Sequence, residues 1–221
     1  MTKHEELEKI VKEVKNCRKC PLWETATNPV PGEGNPNTEV MFIGESPGYW
    51  EDQKGRPFVG QAGKLLDHLL SSIGIKRGEV FIANVLKHRP PGNRDPLPEE
   101  VEACKNWLDK QIEIIQPKVI VTLGRFAMYE FIPNGKITKI HGQPRIVNWQ
   151  NRKITILPMF HPAAALRNVR IMEEIKEDFK KIPKVLEKKI QIDQEPKEVD
   201  SGIKKKTTEG KKESEQLVLT I

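Results

Sequence analysis

Four short runs of apolar, β-prone residues fix most of what this chain can become: Val40-Met41-Phe42-Ile43, Val80-Phe81-Ile82-Ala83, Val119-Ile120-Val121-Thr122-Leu123 and Ile154-Thr155-Ile156-Leu157. A strand with one face in water alternates apolar and polar residues. These runs are apolar on both faces, as a parallel sheet covered by helices on each side requires. Helical spacing fills the gaps between them. Gly60 to Ile73 carries Ala62, Leu65, Leu66, Leu69, Leu70 and Ile73 on one stripe, and Pro98 to Ile115 opens with Pro-Glu-Glu, which suits a helix amino terminus. The expected fold class is α/β, a three-layer α/β/α sandwich with a central, mainly parallel four-stranded sheet. A further β pattern from Lys136 to Trp149 reads as a peripheral hairpin, and no internal repeat is present.

Residues 187–221 contain no aromatic, cysteine or histidine residue and include the run Lys204-Lys205-Lys206-Thr207-Thr208-Glu209-Gly210-Lys211-Lys212. So little apolar area does not offset the entropy of ordering the chain, so this segment is expected to be a disordered charged tail behind one domain spanning residues 1–186. The tail holds eight Lys and eight Asp or Glu, which leaves 29 basic and 23 acidic residues ahead of it and assigns the whole net charge of +6 to the domain. That excess fits an anionic partner such as nucleic acid and equally a merely soluble protein. No apolar run approaches the roughly 18 residues of a membrane helix, and Met1 to Lys15 lacks a signal-peptide apolar core, so an intracellular, cytoplasmic or nucleoid-associated protein is expected. Three cysteines do not pair off among themselves and suggest a metal, a thiol or nothing.

In open α/β sheets the ligand crevice lies beyond the carboxyl ends of the strands. The four runs end in Gly44-Glu45-Ser46-Pro47-Gly48, Asn84, Gly124-Arg125 and Pro158-Met159-Phe160-His161-Pro162. Taken singly, Phe58 reads as a core aromatic, Asn84 as a strand-end cap, His161-Pro162 as a plain turn and Glu45 as a surface carboxylate. Taken together, a carboxylate, an amide and a histidine on such turns converge on one pocket.

These residues sit in five motifs: Gly44-Glu45-Ser46-Pro47-Gly48 with Glu51-Asp52, Gly55-Arg56-Pro57-Phe58-Val59-Gly60, Asn84-Val85-Leu86-Lys87, Arg89-Pro90-Pro91-Gly92-Asn93-Arg94 and His161-Pro162-Ala163-Ala164-Ala165-Leu166-Arg167. In order and spacing they resemble the family 4 uracil-DNA glycosylases of the uracil-DNA glycosylase superfamily, over roughly residues 10 to 185. The resemblance implies a monofunctional enzyme that flips uracil out of DNA, hydrolyses its N-glycosidic bond and leaves an abasic site, the first step of base excision repair. By that likeness Phe58 stacks on the base, Asn84 reads its hydrogen-bonding edge, His161 donates to uracil O2, and Glu45 orients the water or the sugar. Gly44 joins the base-binding set, and Glu51 with Tyr49 crowds the C5 edge against thymine's methyl group. Leu166 and Arg167 resemble a wedge and a backbone contact, while Lys87, Arg89 and Arg94 are expected to hold phosphates. A non-catalytic protein binding uracil or damaged DNA is the alternative, and a metal-dependent hydrolase using His161 and Glu45 lacks a three-ligand set at the crevice.

The same resemblance implies a 4Fe-4S cluster on four cysteines, three of which match Cys17, Cys20 and Cys104. The fourth position is His88, in Asn84-Val85-Leu86-Lys87-His88-Arg89-Pro90-Pro91, so the expected ligand set is Cys17, Cys20, His88 and Cys104. Zinc on these residues, or a solvent-facing His88 with the cluster lost, are the rival readings. A histidine here also resembles the X-type branch, which traps the sugar covalently on a histidine in an inserted basic loop; that loop is missing, so ordinary turnover is expected. At the end of the chain, Gln216 followed by Leu219 resembles the start of a sliding-clamp box without its paired aromatics, and a monomer is expected.

Overall fold

The computed structural model describes residues 1–188 together with Asp193–Gln194. In chain order the elements are α1 (Lys3–Lys15), α2 (Leu22–Thr25), β1 (Glu33–Gly34), β2 (Val40–Gly44), α3 (Tyr49–Lys54), α4 (Gln61–Ser72) and β3 (Phe81–Asn84). They continue with α5 (Pro98–Ile115), β4 (Val119–Leu123), α6 (Arg125–Tyr129), α7 (Ile137–Ile140), β5 (Arg145–Trp149) and β6 (Arg152–Met159). The last are α8 (Pro162–Ala165), α9 (Val169–Phe179), α10 (Lys181–Leu186) and β7 (Asp193–Gln194).

The four apolar runs become β3, β2, β4 and β6, adjacent in that order and parallel throughout. Alternate residues face opposite layers. Met41, Ile43, Ala83, Ile120 and Ile156 pack with α1 and α5, while Val40, Phe42, Ile82, Val121 and Leu157 pack with α4, α9 and α10. Two buried faces explain why no alternation shows in these strands. Phe42 is fully buried and stacks on Phe179 of α9, with ring centroids 5.9 Å apart.

Three differences from the expected fold have local causes. Among the described residues the sheet has seven strands rather than four, in the order β1-β3-β2-β4-β6-β5-β7, because short edge strands extend the parallel core. Lys136 to Trp149 is not a hairpin. Ile137 and Ile140, three apart, pack one turn of α7 against the core, and only β5 is a strand, pairing antiparallel with β6. Most of the segment expected to be a disordered tail lies outside the described residues; within it, Asp193–Gln194 pairs with Arg145 and Ile146 of β5. The clamp-like residues Gln216 to Ile221 lie outside the described residues. No described helix is long and apolar enough to cross a membrane.

The helices are placed by their ends. Thr2 and Glu5 exchange hydrogen bonds as a capping box that starts α1, and Lys3 Nζ donates to Ile115 O at the end of α5. Glu100, buried in the first turn of α5, accepts from Leu97 N–H and from Arg94. The chain leaves β2 for β3 on one side and reaches β4 on the other, so the crevice between the carboxyl ends of β2 and β4 is the switch point where α/β sheets bind ligands.

Candidate active site

The strand ends line up across the sheet edge as Asn84, Gly44 with Glu45, Gly124 and, after β6, His161. The β2–β3 ladder runs on past its last registered pair: Val85 N–H donates to Gly44 O and Leu86 N–H to Glu45 O, each at 3.0 Å. Asn84 is 1% exposed, and its Oδ1 has no hydrogen-bond partner. An unpaired acceptor this deep costs about 1–3 kcal/mol unless a ligand satisfies it. Gly44 is the floor beside it, since a Cβ there would lie 2.5 Å from Asn84 Oδ1 and 2.6 Å from the Phe58 ring. Only glycine lets the amide and the ring converge.

Phe58 stands at φ +50°, in the left-handed region that disfavours large side chains. Two groups hold it there. Arg77 donates to Pro57 O at 2.6 Å and Phe58 O at 3.2 Å while paired with Glu33 and Asp67, and Glu51 Oε1 accepts from Val59 N–H and Gly60 N–H, both at 2.8 Å. The Phe58 ring then lies near-parallel to the His161 ring, with centroids 5.6 Å apart and planes at 29°.

His161 is the N-cap of α8, and its Nδ1 accepts from Ala163 N–H at 3.1 Å. Burial depresses its pKa to about 4, against a small opposing pull from the Glu51 carboxylate. At neutral pH the ring is therefore uncharged. With Nδ1 accepting, its proton sits on Nε2, the nitrogen left free to donate. Glu45 is shifted the other way. Burial raises its carboxyl to about 7, helped by Asp95 and opposed by Arg125, which are themselves paired at 2.5 Å.

Gly44, Glu45, Phe58, Asn84 and His161 are thus brought together, with Glu51 beside them. Leu166 is 48% exposed just after α8, next to the exposed Arg167. Arg89 is part-buried and Arg94 exposed, the latter tied to Glu100. One expected role is corrected. Lys87 does not face a phosphate: it is wholly buried, and its Nζ donates to Asn84 O at 2.7 Å and Gln111 Oε1 at 2.9 Å, bracing the turn that carries Asn84. Tyr49 is half exposed, packed edge to face on Trp50 and under the Arg89 guanidinium. Arg77 and Lys87 brace the site without any sequence signal, because their partners are carbonyls and side chains distant along the chain.

Cys17, Cys20, Cys104 and the neighbouring His88 are all buried. The interaction between Cys20 and Cys104 pushes Cys20 below the ordinary thiol value and Cys104 above it, and Lys87 N–H donates to Cys104 Sγ at 3.4 Å. His88 is held toward its neutral form by burial and by Arg18, which follows Cys17. The indole N–H of Trp107, in the same apolar cluster, is buried without a partner. Soft thiolates with an imidazole, a backbone N–H on one sulfur and a spare buried donor suit an iron-sulfur group. Among the described residues, no three His, Cys, Asp or Glu side chains close around a single metal ion.

At the switch point of an α/β sheet, where such sheets bind ligands, a buried unpaired amide oxygen, a phenylalanine ring and an uncharged imidazole come together. The family described as the uracil DNA glycosylase superfamily matches residues 31–186. The chain is 52% identical to the type-4 uracil-DNA glycosylase of Sulfurisphaera tokodaii over 182 residues, 80% of this chain and 83% of that protein. It is 50% identical to that of Archaeoglobus fulgidus, over 84% of this chain and 96% of that protein, and 52% identical to that of Thermotoga maritima, over 76% and 88%. The chain belongs to the uracil-DNA glycosylase superfamily, among its type-4 members.

Proposed function

We propose that this chain excises uracil from DNA by hydrolysing the N-glycosidic bond, leaving an abasic site for base excision repair. The observation that carries this reading is the buried, unpartnered Asn84 Oδ1 beside Phe58. Uracil N3–H satisfies that oxygen while the amide N–H2 donates to O4; cytosine presents an acceptor and a donor at these positions and leaves both amide groups unpaired. A base inside a duplex is out of reach, so the nucleotide flips into the pocket and its face stacks on Phe58. As the glycosidic bond lengthens, negative charge collects on uracil O2, where the Nε2–H of neutral His161 donates. A donor already aimed at charge that appears only in the transition state lowers the barrier without reorganisation. Glu45, as carboxylate, orients the incoming water and faces the positive sugar. Glu51 acts through the Phe58 loop, whose two N–H groups it holds.

Leu166 fills the vacated stack, and Arg167, Arg89 and Arg94 meet the backbone. A 4Fe-4S cluster on Cys17, Cys20, Cys104 and His88 would tie the segment after α1 to the start of the β3–α5 loop and to α5; its contribution is to structure rather than to bond cleavage. The protein acts as an intracellular monomer. The segment Gln216 to Ile221 is a sliding-clamp tether, and a chain ending at Gln194 should lose retention by a clamp.

Incubation with a uracil-containing oligonucleotide followed by alkali tests the reading. Strand breaks are expected from the wild type and lost in His161→Ala. Tight binding with no breaks would instead favour a binding-only protein.

A further inference from the structure

A buried ion group adjoins the turn that carries His161, and no step above uses it. Asp178 of α9 is 2% exposed, and both of its carboxylate oxygens are engaged: Oδ1 accepts from Lys181 Nζ at 2.8 Å, and Oδ2 faces His141 Nδ1 at 2.7 Å. A carboxylate partner puts a ring proton on Nδ1. The His141 ring lies against Phe160, the residue before His161, with centroids 4.5 Å apart and planes at 41°. Gly142 donates its N–H to Pro158 O at 2.7 Å, and from the β4 side Gly124 N–H donates to Met159 O at 2.8 Å. Pro158, Met159 and Phe160, which lead into His161, are thus each held, the first two by a hydrogen bond and the third by a ring. Gly142 stands at φ +66°, and a Cβ there would lie 1.8 Å from Asp178 Oδ1, so only glycine lets the backbone come this close to the carboxylate.

Packing alone does not ask for this arrangement. A buried carboxylate is costly to desolvate, and apolar side chains of similar volume would fill the space without that cost. What a charge-assisted, directed hydrogen bond adds is orientation. His161 needs it, because its Nε2–H must meet the charge collecting on uracil O2, and a displacement of about 1 Å can cost on the order of 100-fold in rate. We propose that Asp178 and His141 are positioning residues for His161: Asp178, anchored by Lys181, fixes the His141 ring against Phe160, and Phe160 fixes the backbone from which the His161 donor projects. The inference rests on the uracil-excising reading above and adds two residues that act on the reaction through His161.

The test is excision kinetics on an oligonucleotide with one uracil, with melting temperatures measured alongside. His141→Ala, and His141→Gln, which keeps a donor to Asp178 but has no ring, should each lower kcat by at least roughly tenfold with KM changed less than about threefold. Asp178→Ala should do the same, and Asp178→Asn, which still accepts from Nδ1, should recover most of the loss. Unchanged kcat in both His141 variants overturns the proposal, as does a loss that follows melting temperature alone, with Asp178→Asn no better than Asp178→Ala. The His161 ring gives a readout independent of turnover. Nitrogen NMR should find it as a single Nε2–H tautomer in the wild type and as a mixture of tautomers in His141→Gln, and identical His161 signals in the two proteins overturn the positioning. Absence of excision by the wild type would overturn the uracil-excising reading instead, and the NMR comparison then decides the positioning by itself.

Discussion

Asn84, Phe58, His161 and Glu45 are each held in a state that isolated residues avoid: an unpaired buried acceptor, a left-handed backbone, a depressed imidazole and a raised carboxyl. Glu45, Asn84 and His161 stood out as candidates in the sequence because they lie at or just after the ends of apolar runs, whereas Phe58, beyond α3, stood out only through the motif around it. The states of all four did not show there, because burial and neighbours create them. The two titrations predict a pH profile. Glu45 works as a carboxylate, so single-turnover excision should fall about tenfold per pH unit below about 7 and level off above it, with His161 adding a further loss near 4. Glu45→Gln should remove the upper limb and lower the plateau. Stability carries opposite signs for the two groups. The folded-state pKa of Glu45 lies above its ordinary 4.5, so its protonated form is favoured by folding and stability is lost as pH rises through about 7. The folded-state pKa of His161 lies below its ordinary 6.5, so its contribution is present above that value and lost as pH falls toward about 4. Thermal melts at alkaline pH should find Glu45→Gln more stable than wild type, by no more than about 1–2 kcal/mol after allowance for solvent screening.

Among the elements, the parallel strands and the helices α4 and α5 follow their sequence patterns closely, and α5 spans the anticipated Pro98 to Ile115. What escaped depends on distant partners or on unusual turns. The β5–β6 hairpin turns on Gln150 and Asn151, at φ +45° and +63°, without the glycine that ordinarily marks such a turn. Lys87 read as a surface cation because Gln111, its partner on α5, is 24 residues away. Arg77 is the sharpest case: two backbone carbonyls of the Phe58 loop rest on one guanidinium preceding β3. Arg77→Lys keeps the charge but not the fork, so kcat/KM should fall by at least roughly tenfold with a smaller change in melting temperature. An unchanged kcat/KM would remove Arg77 from the positioning of Phe58. At the cysteine centre, anaerobically purified protein should carry about four iron and four sulfide with broad visible absorbance, lost in His88→Ala and retained in His88→Cys. Stoichiometric zinc without sulfide would contradict the ligand set.

For the whole molecule, the sequence assigns the +6 to residues 1–186, and Arg89 and Arg167 lie at the carboxyl edge of the sheet. Binding to single-stranded DNA should weaken linearly on a log–log plot against salt, and Arg167→Ala should reduce the slope by about 0.7, one phosphate contact. A slope unchanged by that substitution would take Arg167 off the backbone. The central claim is that the Asn84 amide selects uracil by its hydrogen-bonding edge, and base release from matched uracil and cytosine oligonucleotides by wild type and Asn84→Asp tests it most directly. The account predicts that wild type releases uracil and not cytosine, and that Asn84→Asp, which loses the donor to O4 but gains an acceptor for the cytosine amino group, loses at least roughly 100-fold on uracil and narrows the gap between the two bases. Uracil release by Asn84→Asp at the wild-type rate, with cytosine still excluded, would contradict it.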